Sequence, residues 1–320
     1  MPNTINTLLL ALCVSLSLVQ GCASVKKSGQ PTNPGSVEAP PETMGPPELY
    51  GPPAPPPLSV PITNGPEPIQ QRPVVLVFGP GLARGYSYVG VLRALKEQKI
   101  PVGAILGTEM GGLIAALYGM SSNLNEFEWG LLKLMNDNNF LPSKSFFSKS
   151  SNGQATDGKR FETTLRQIFG AKDLSQAKIP IRIAIQSKAT GIPIILNHGS
   201  VVRAVRAALA TPSLFIPGSW ATGSGDIAAV SAGSSRPYLV NEAKSLGLGP
   251  TIVIDVLSED EDASAQSELF SADLVIRPDI AGIDYEDFQK KTEAAFRGKN
   301  AVIQNLEAIR RLVGVTGSEQ

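Results

Sequence analysis

The sequence predicts an α/β fold in which helices cover both faces of a mainly parallel sheet. Val74 to Phe78 is a continuous apolar run rich in β-branched residues, which is typical of a strand buried on both faces. A Gly-rich turn and an amphipathic helix follow it, and a second apolar run, Val102 to Leu106, leads into another Gly-rich turn and helix. Two such units in succession imply a right-handed crossover between parallel strands.

The composition favours one large domain and excludes several kinds of site. The chain has 320 residues, of which 42% are hydrophobic, and a formal net charge of +0, so it can bury a large core and has no basic excess for nucleic acid. Both cysteines, Cys13 and Cys22, precede the region that we expect to fold, and His198 is the only histidine. We therefore expect no disulfide, no cysteine nucleophile, no metal site and no cofactor in the folded region.

The first 73 residues predict a leader and a spacer. The apolar run from Leu8 to Val19 is too short to span a bilayer comfortably, and small residues and a cysteine follow it, which is typical of a secretory signal. The stretch from Pro31 to Pro73 is proline-rich and lacks apolar periodicity, which predicts a disordered spacer. We predict a signal peptide over 1–21, a linker over 22–73, a folded domain over 74–312 and a flexible tail over 313–320.

The segment around Cys22 resembles a bacterial lipoprotein signal, in which the cysteine becomes the lipidated first residue of the mature protein. Ala23 after it, rather than an aspartate, suggests sorting to the outer membrane. The resemblance implies attachment to the membrane of the bacterial cell envelope through Cys22. An ordinary signal peptide with an incidental cysteine is the alternative.

The later elements are predicted from apolar periodicity and turn residues. Helices are expected over 124–137, 159–169, 201–209, 237–246 and 285–312, the last with a break at Gly298. Strands are expected over 181–187, 192–196, 227–230, 251–256 and 273–276. Residues 140–158 and 213–225 are expected to form loops, the first of them a lid or a poorly ordered segment.

The second Gly-rich turn has the form of a nucleophile elbow with an unusual centre. In hydrolases a Gly-x-Ser-x-Gly turn between a strand and a helix holds a serine nucleophile, and backbone N–H groups face the developing oxyanion. Here Gly107, Met110 and Gly111 form the turn, and Glu109 stands at its centre.

Three motifs together resemble the patatin-like phospholipases of the bacterial type. The oxyanion loop of that family is matched by Gly79-Pro80-Gly81-Leu82-Ala83-Arg84-Gly85, the nucleophile elbow by 107–111, and the Asp-Gly-Gly or Asp-Gly-Ala motif by Val230-Ser231-Ala232-Gly233. The resemblance covers roughly residues 73–298. It implies a three-layer αβα sandwich and lipid acyl hydrolysis by a Ser-Asp dyad. Because that dyad needs no histidine, we expect His198 to lie in a surface turn.

The resemblance also places four substitutions at the reaction centre. Glu109 occupies the nucleophile position, Ser231 the dyad aspartate position and Tyr88 the position of a histidine, and Pro80 lacks a backbone N–H that could bind an oxyanion. Glutamate has no hydroxyl to deprotonate, and serine is not a base at neutral pH. We therefore predict a catalytically degenerate member of the family that acts at the membrane by binding lipid acyl chains or a partner protein.

Glu109 has a predicted role of its own. A helix N-terminus favours a carboxylate by about 0.3 to 2 kcal/mol because its N–H groups are unpaired and its dipole is positive there. We predict that Glu109 is ionised and that it reaches back to the amides of Gly81 and Leu82, filling the oxyanion hole. For Arg84 we expect a structural role, or an ion pair with Glu109.

Two alternatives remain open. An active lipid acyl hydrolase with rewired residues would use Asp226 as its base and Ser87 or Ser231 as its nucleophile. A dinucleotide-binding protein would use the glycines of the 79–85 turn for phosphates and Glu109 for the ribose, although the third glycine comes one residue late. The acidic run at 258–262 predicts a solvated loop rather than a metal site.

Overall fold

The structure, a computed structural model, describes residues 71–121, 123–136, 157–212, 214–235, 238–257 and 266–314. The predicted signal peptide, Cys22, most of the spacer, most of the 140–158 loop and the acidic run at 258–262 lie outside these ranges. None of the helices in these ranges is both long enough and apolar enough to cross a membrane.

The described part of the chain forms strands, helices and short 3₁₀ segments. The strands are β1 Val74–Phe78, β2 Val102–Thr108, β3 Ile181–Ser187, β4 Pro193–Leu196, β5 Gly218–Thr222, β6 Gly225–Ser231, β7 Thr251–Ile254 and β8 Leu274–Ile276. The helices are α1 Ser87–Glu97, α2 Met110–Met120, α3 Leu124–Asn136, α4 Lys159–Phe169, α5 Val201–Ala208, α6 Val240–Ser245, α7 Gln266–Leu269, α8 Lys291–Gln304 and α9 Leu306–Val313. The 3₁₀ segments are Leu82–Tyr86, Leu174–Gln176 and Phe288–Lys290.

The strands form one mixed sheet in the order β5-β6-β3-β2-β1-β7-β8, with β4 paired to β3. The pairs from β3 through β2, β1 and β7 to β8 are all parallel. The pairs of β3 with β4, β3 with β6 and β5 with β6 are antiparallel. The predicted parallel sheet is thus confirmed for its centre and for the β8 side, and the β5–β6 hairpin adds an antiparallel side.

Both faces of the sheet are buried. In β1, Val74, Leu76 and Phe78 belong to one apolar cluster, and Val75 and Val77 belong to a second. Since successive side chains of a strand point to opposite faces, the two clusters lie on opposite faces of the sheet. Residues of α1 to α5, α8 and α9 join the first cluster, and residues of α6 and α7 join the second. The three-layer αβα sandwich is therefore confirmed.

The loop predicted at 213–225 and the helix break predicted at Gly298 are wrong. The segment predicted as a loop at 213–225 contains β5, which has a single buried side chain, Trp220, and so lacks the apolar alternation that marks a strand. Helix α8 continues through Gly298, and the break falls at Asn305 instead. A Cβ on Gly298 would lie 1.9 Å from the carbonyl oxygen of Ser87, so this glycine allows close helix packing rather than ending the helix.

Candidate functional site

Glu109 connects β2 to α2 in a strained backbone conformation. Strand β2 ends at Thr108 and α2 begins at Met110, so Glu109 is the single residue between them. Its φ of 50° and ψ of −118° lie where non-glycine residues are rare. A sharp strand-to-helix turn of this kind presents the central side chain at the edge of a sheet.

Two glycines let the turn pack tightly, as the sequence predicts for an elbow. A Cβ on Gly107 would lie 2.3 Å from the carbonyl group of Gly111. A Cβ on Gly111 would lie 2.4 Å from the carbonyl oxygen of Phe78 in β1. Helix α2 therefore starts in direct contact with the backbone of the two central strands, which fixes Glu109 opposite the 79–85 loop.

The side chain of Glu109 binds the backbone of that loop. Its Oε2 accepts hydrogen bonds from the amides of Gly81, at 2.7 Å, and Leu82, at 3.0 Å. Gly81 and Leu82 both have positive φ, 154° and 37°, and their successive N–H groups converge on one acceptor. The hydrogen bonds predicted for Glu109 are present, and the residue is only 2% exposed.

Tyr285 completes the surroundings of Glu109 and was not predicted. Its hydroxyl donates to both carboxylate oxygens of Glu109, at 2.8 and 2.9 Å. The sequence predicts a helix from Tyr285, but α8 begins at Lys291 and Tyr285 lies in the preceding loop. Its carbonyl accepts a hydrogen bond from the amide of Ala83 at 2.9 Å, which joins this loop to the Gly-rich loop.

Arg84 also ties the two loops together. Its Nε donates to the carbonyl oxygen of Ile283 at 2.9 Å, and its guanidinium lies 5.8 Å from the centre of the Tyr285 ring. These contacts agree with a structural role for Arg84. They hold Tyr285 in reach of Glu109.

Burial raises the pKa of Glu109 above its usual range. Hydrogen bonds from Gly81, Tyr285, Leu82 and Met110 oppose this and lower the pKa in part. The prediction that the helix terminus favours an ionised Glu109 includes only the hydrogen bonds, which lower the pKa. It leaves out the cost of removing the carboxylate from water, which raises the pKa by more than the hydrogen bonds lower it.

Tyr88, which the motifs align with a histidine of the family, binds the backbone carbonyls of the 79–85 loop. Its hydroxyl donates to the carbonyl oxygens of Gly79, at 2.9 Å, and Pro80, at 3.2 Å, and its ring stacks on Phe78 at 4.5 Å. Burial raises the pKa of Tyr88 well above its usual range, and the charges of Asp255 and Glu109 raise it further. Tyr88 is therefore a neutral donor that fixes the loop carbonyls.

Asp255, just past the end of β7, is a second buried carboxylate that the sequence analysis did not single out. Its Oδ1 accepts from the Tyr238 hydroxyl and from the amide of Leu257, and its Oδ2 accepts from Arg277 Nε at 2.8 Å. The Tyr238 ring in turn contacts Gly79, where a Cβ would lie 2.5 Å from it. One signal in the sequence could have identified Asp255: it is an acidic residue that follows a buried strand directly. Parallel strands end at a common edge of the sheet, so such a residue lies at the same edge as the elbow.

Ser231 is brought to the same site as Glu109. Strand β3 lies between β2 and β6. Thr108 of β2 pairs with Ala184 of β3, and Ser231 of β6 pairs with the adjacent residue of β3, Ile185, so the end of β6 lies near Glu109. Ser231 is 8% exposed, and its Oγ accepts a hydrogen bond from the amide of Gly233 at 3.1 Å.

A pocket of about 780 Å³ opens beside Glu109 and Ser231, and both residues line it. Most of its wall is apolar. The apolar residues come from the 79–85 loop, the segment that follows α5, strand β6 and the segment that follows β7: Pro80, Pro212, Phe215, Ile216, Val230 and Leu257. Lys188 and Tyr285 are among its polar residues. We call it the main pocket.

The structure separates the other candidate catalytic residues from the main pocket. Asp226 is exposed, pairs with Arg203 at 3.3 Å and lies five residues before Ser231, a span of about 16 Å along a strand. Ser87 is buried in α1, and neither residue is among the described ones that line the pocket. The rewired hydrolase therefore obtains no base from Asp226 and no nucleophile from Ser87. His198 is exposed in a turn, as predicted.

The dinucleotide-binding alternative loses its main support. In such a protein the backbone amides of the Gly-rich turn bind the phosphates and an acidic residue binds the ribose. Here Glu109 itself takes the amides of Gly81 and Leu82.

An αβα sandwich whose strained strand-to-helix elbow faces a Gly-rich loop belongs to the hydrolase-type α/β folds. The sequence matches the model of the patatin-like phospholipase family over residues 76–238. The chain therefore belongs to the patatin-like phospholipase family, as its motifs predicted.

Curated relatives are similar over part of the chain. Patatin-like phospholipase domain-containing protein 6 of Mus musculus is 28% identical over 233 residues, which cover 66% of this chain and 16% of the relative. A lysophospholipase of Phaeosphaeria nodorum is 28% identical over 191 residues, 60% of this chain and 12% of that protein. An NTE family protein of Mycobacterium tuberculosis is 26% identical over 145 residues, 45% of this chain and 39% of that one. The match thus spans well under half the length of each of these relatives.

Solved structures show a more distant likeness. VipD from Legionella pneumophila aligns with a TM-score of 0.45 at 11% identity, over 75% of this chain and 67% of that chain. ExoU of Pseudomonas aeruginosa, in its complex with SpcU, aligns with a TM-score of 0.39 at 16% identity, over 76% and 52% of the two chains.

Proposed function

We propose that this protein binds lipid acyl chains in the main pocket and does not hydrolyse their esters. One observation carries the proposal: at the nucleophile position of a hydrolase family stands Glu109, whose carboxylate accepts both loop amides, from Gly81 and Leu82. In a working elbow those amides bind the oxyanion of the tetrahedral intermediate. Here an acidic side chain of the protein occupies them.

The chemistry of the remaining groups supports the loss of turnover. An ester carbonyl that entered the hole would have to displace Glu109, and a developing oxyanion would be repelled by the carboxylate. Attack by the carboxylate itself would give an anhydride, and Ser231 is not a base that could activate water to hydrolyse it. Pro80 contributes no N–H to the loop.

The pocket itself supports binding. A volume of about 780 Å³ with a largely apolar wall and a few polar groups is typical of a site for a small amphipathic molecule. The apolar wall suits an acyl chain, because burying each CH₂ group stabilises a complex by about 0.8 kcal/mol.

We propose that the protein acts at the cell envelope. Cys22 lies in a segment that resembles a lipoprotein signal, and a lipidated Cys22 would attach the chain to the outer membrane, where acyl chains are abundant. The proline-rich spacer would then separate the domain from the membrane by up to about 3 Å per extended residue.

The test is to add p-nitrophenyl octanoate and to measure binding and hydrolysis together. We expect calorimetry to detect binding of the ester, while the release of nitrophenolate stays at the rate of the protein-free control. The loss of nucleophile and base removes most of the rate of such an enzyme. Release well above that control would contradict the proposal.

A series of variants makes the same assay sharper. Glu109→Ser alone should remain inactive, because Ser231 still supplies no base and Pro80 still lacks its N–H. Glu109→Ser combined with Ser231→Asp, and further with Pro80→Gly, should raise turnover above background. Strong activity in Glu109→Ser alone would show that the dyad aspartate is not missing but lies elsewhere.

A further inference from the structure

A second concavity of about 330 Å³ lies beside the main pocket, between α4, α5 and β5. Four basic side chains and two acidic ones line it: Lys159, Arg166, Arg203, Arg206, Asp157 and Glu162. We call it the arginine groove. Ile216 and Pro217 line both the groove and the main pocket, so the two cavities are neighbours.

Arg206 forms the buried part of the groove. It is only 5% exposed, its Nη2 donates to the carbonyl oxygen of Asp157 at 2.8 Å, and its guanidinium lies 4.5 Å from the centre of the Phe215 ring. Its Nη1 is buried and has no hydrogen-bond partner among the described residues. A buried guanidinium donor without an acceptor is costly, which makes it a place where an acceptor from a ligand would be stabilising.

The carboxylates near Arg206 are already engaged by other basic residues. Glu162 pairs with Arg166 at 2.6 Å, and Asp157 pairs with Lys159 at 3.2 Å. Arg203 pairs with a third carboxylate, Asp226, at 3.3 Å. Arg206 is thus the basic residue lining the groove that forms no ion pair with a described carboxylate, and it lies at the buried end.

We propose that the arginine groove binds a phosphate group. A phosphate presents several strong acceptor oxygens, and guanidinium groups bind such oxygens in pairs. Arg206 would supply its free Nη1. Arg166 and Arg203 each have five N–H donors and use only some of them in their ion pairs and hydrogen bonds, through Nη2 of Arg166 and through Nε and Nη2 of Arg203, so their remaining donors would contact the other oxygens. Phe215 stacks on Arg206 and also lines the main pocket, so that the phosphate of an amphiphile can lie in the groove while its chain lies in the pocket. If the ligand is such an amphiphile, the inference rests on the proposed function. Free inorganic phosphate is the other ligand that could supply the same phosphate oxygens.

Three probes measured by calorimetry below their micelle concentrations test the inference and identify the source. Decyl phosphate carries both the chain and the anion, decyl glucoside the chain alone, and inorganic phosphate the anion alone. We expect decyl phosphate to bind at least about tenfold more tightly than decyl glucoside, as one charge-assisted contact of about 1.4 kcal/mol predicts. The advantage should shrink as the salt concentration rises.

Variants locate the anion. Arg206→Gln should remove most of the advantage of decyl phosphate and leave the binding of decyl glucoside unchanged. Because Arg206 is buried, the binding result for this variant is interpreted only if the variant folds. Arg166→Gln changes an exposed side chain and should weaken decyl phosphate about threefold. Arg160→Gln, on the same helix but not among the lining residues, is the matched control and should have no effect.

The outcomes separate the two proposals. If decyl phosphate binds no more tightly than decyl glucoside and inorganic phosphate does not bind, the arginine groove is not a phosphate site, while the acyl-chain pocket stands. A different result is that decyl glucoside does not bind, decyl phosphate binds no more tightly than inorganic phosphate, and Arg166→Gln weakens the binding of inorganic phosphate. The phosphate site then stands, with free phosphate as its ligand. In that case the proposed lipid function fails.

Discussion

The three groups that hydrogen-bond to the Glu109 carboxylate in the described structure all act as donors: the amides of Gly81 and Leu82 and the hydroxyl of Tyr285. An ionised carboxylate can accept from all of them, whereas a protonated one has to turn its own hydrogen towards an acceptor. Burial nevertheless favours the neutral form and leaves the pKa raised. Glu109 therefore links the proton concentration to the stability of the fold.

Glu109→Gln should change how stability depends on pH. A raised pKa means that the folded protein holds more protons than the unfolded one between the ordinary pKa of a glutamate and the raised value. The stability of the wild type should therefore fall, relative to Glu109→Gln, as the pH rises through that window. The slope for one proton approaches about 1.4 kcal/mol per pH unit.

Urea unfolding from about pH 4 to about pH 8, the range around ordinary carboxyl and histidine pKa values, measures this difference. Glu307→Gln, at an exposed position on α9, is the control and should follow the wild type. A wild type that gains stability over Glu109→Gln with rising pH would show that the hydrogen bonds outweigh burial.

At the scale of elements, the contact between α1 and α8 sets the position of the oxyanion loop. Helix α1 begins directly after that loop and carries Tyr88, which holds the loop carbonyls. The two helices cross at Gly90 and Gly298, where a Cβ would lie 1.7 Å from the carbonyl oxygen of Ala295 and 1.9 Å from that of Ser87. Backbone therefore contacts backbone at this crossing.

Gly298→Ala should destabilise the fold by more than about 2 kcal/mol, because the helices must move apart to admit the methyl group. This outcome opposes helix propensity, which favours alanine over glycine by about 1 kcal/mol. Gly130→Ala in α3 is the control, since its new Cβ would meet only the ends of two side chains, Leu117 at 3.2 Å and Ile168 at 3.6 Å. Chemical unfolding of both variants measures the difference, and equal effects would argue against a tight crossing.

The sequence predicted the elements best where one pattern was strong. The bounds of β1, β3 and α4 match the predicted bounds, because their apolar patterns are continuous or strictly periodic. The hydrogen bonds of Glu109 to Gly81 and Leu82 could be predicted because the sequence shows both turns, the one at 79–85 and the one at 107–111, each directly after a predicted strand. The role of Tyr285 could not be predicted, because Tyr285 lies 176 residues from Glu109 and the sequence predicts a helix where the structure has a loop.

At the scale of the whole molecule, the sheet brings the two residues at the predicted dyad positions and both cavities to one region. Glu109 follows β2, Ser231 ends β6, and both line the main pocket. The arginine groove uses α4, α5 and the start of β5, which joins β6 in a hairpin. The described residues thus place a largely apolar pocket beside a groove with four basic side chains, which is the pairing that the proposed anionic amphiphile would require.

The proposed attachment to the membrane rests on Cys22, which lies outside the described residues, and the two cysteines allow a matched test. If Cys22 is lipidated, Cys22→Ala should move the protein from the membrane fraction to the soluble fraction, because stable anchoring needs two or more acyl chains and the variant can carry none there. The domain should keep its far-UV circular dichroism, since Cys22 lies outside the segment that we predict to fold. Cys13→Ala, within the predicted signal peptide, should leave the protein in the membrane fraction. A wild-type protein that is soluble, with a mature N-terminus at a residue other than Cys22, would contradict lipidation and would leave the main pocket to act away from a membrane.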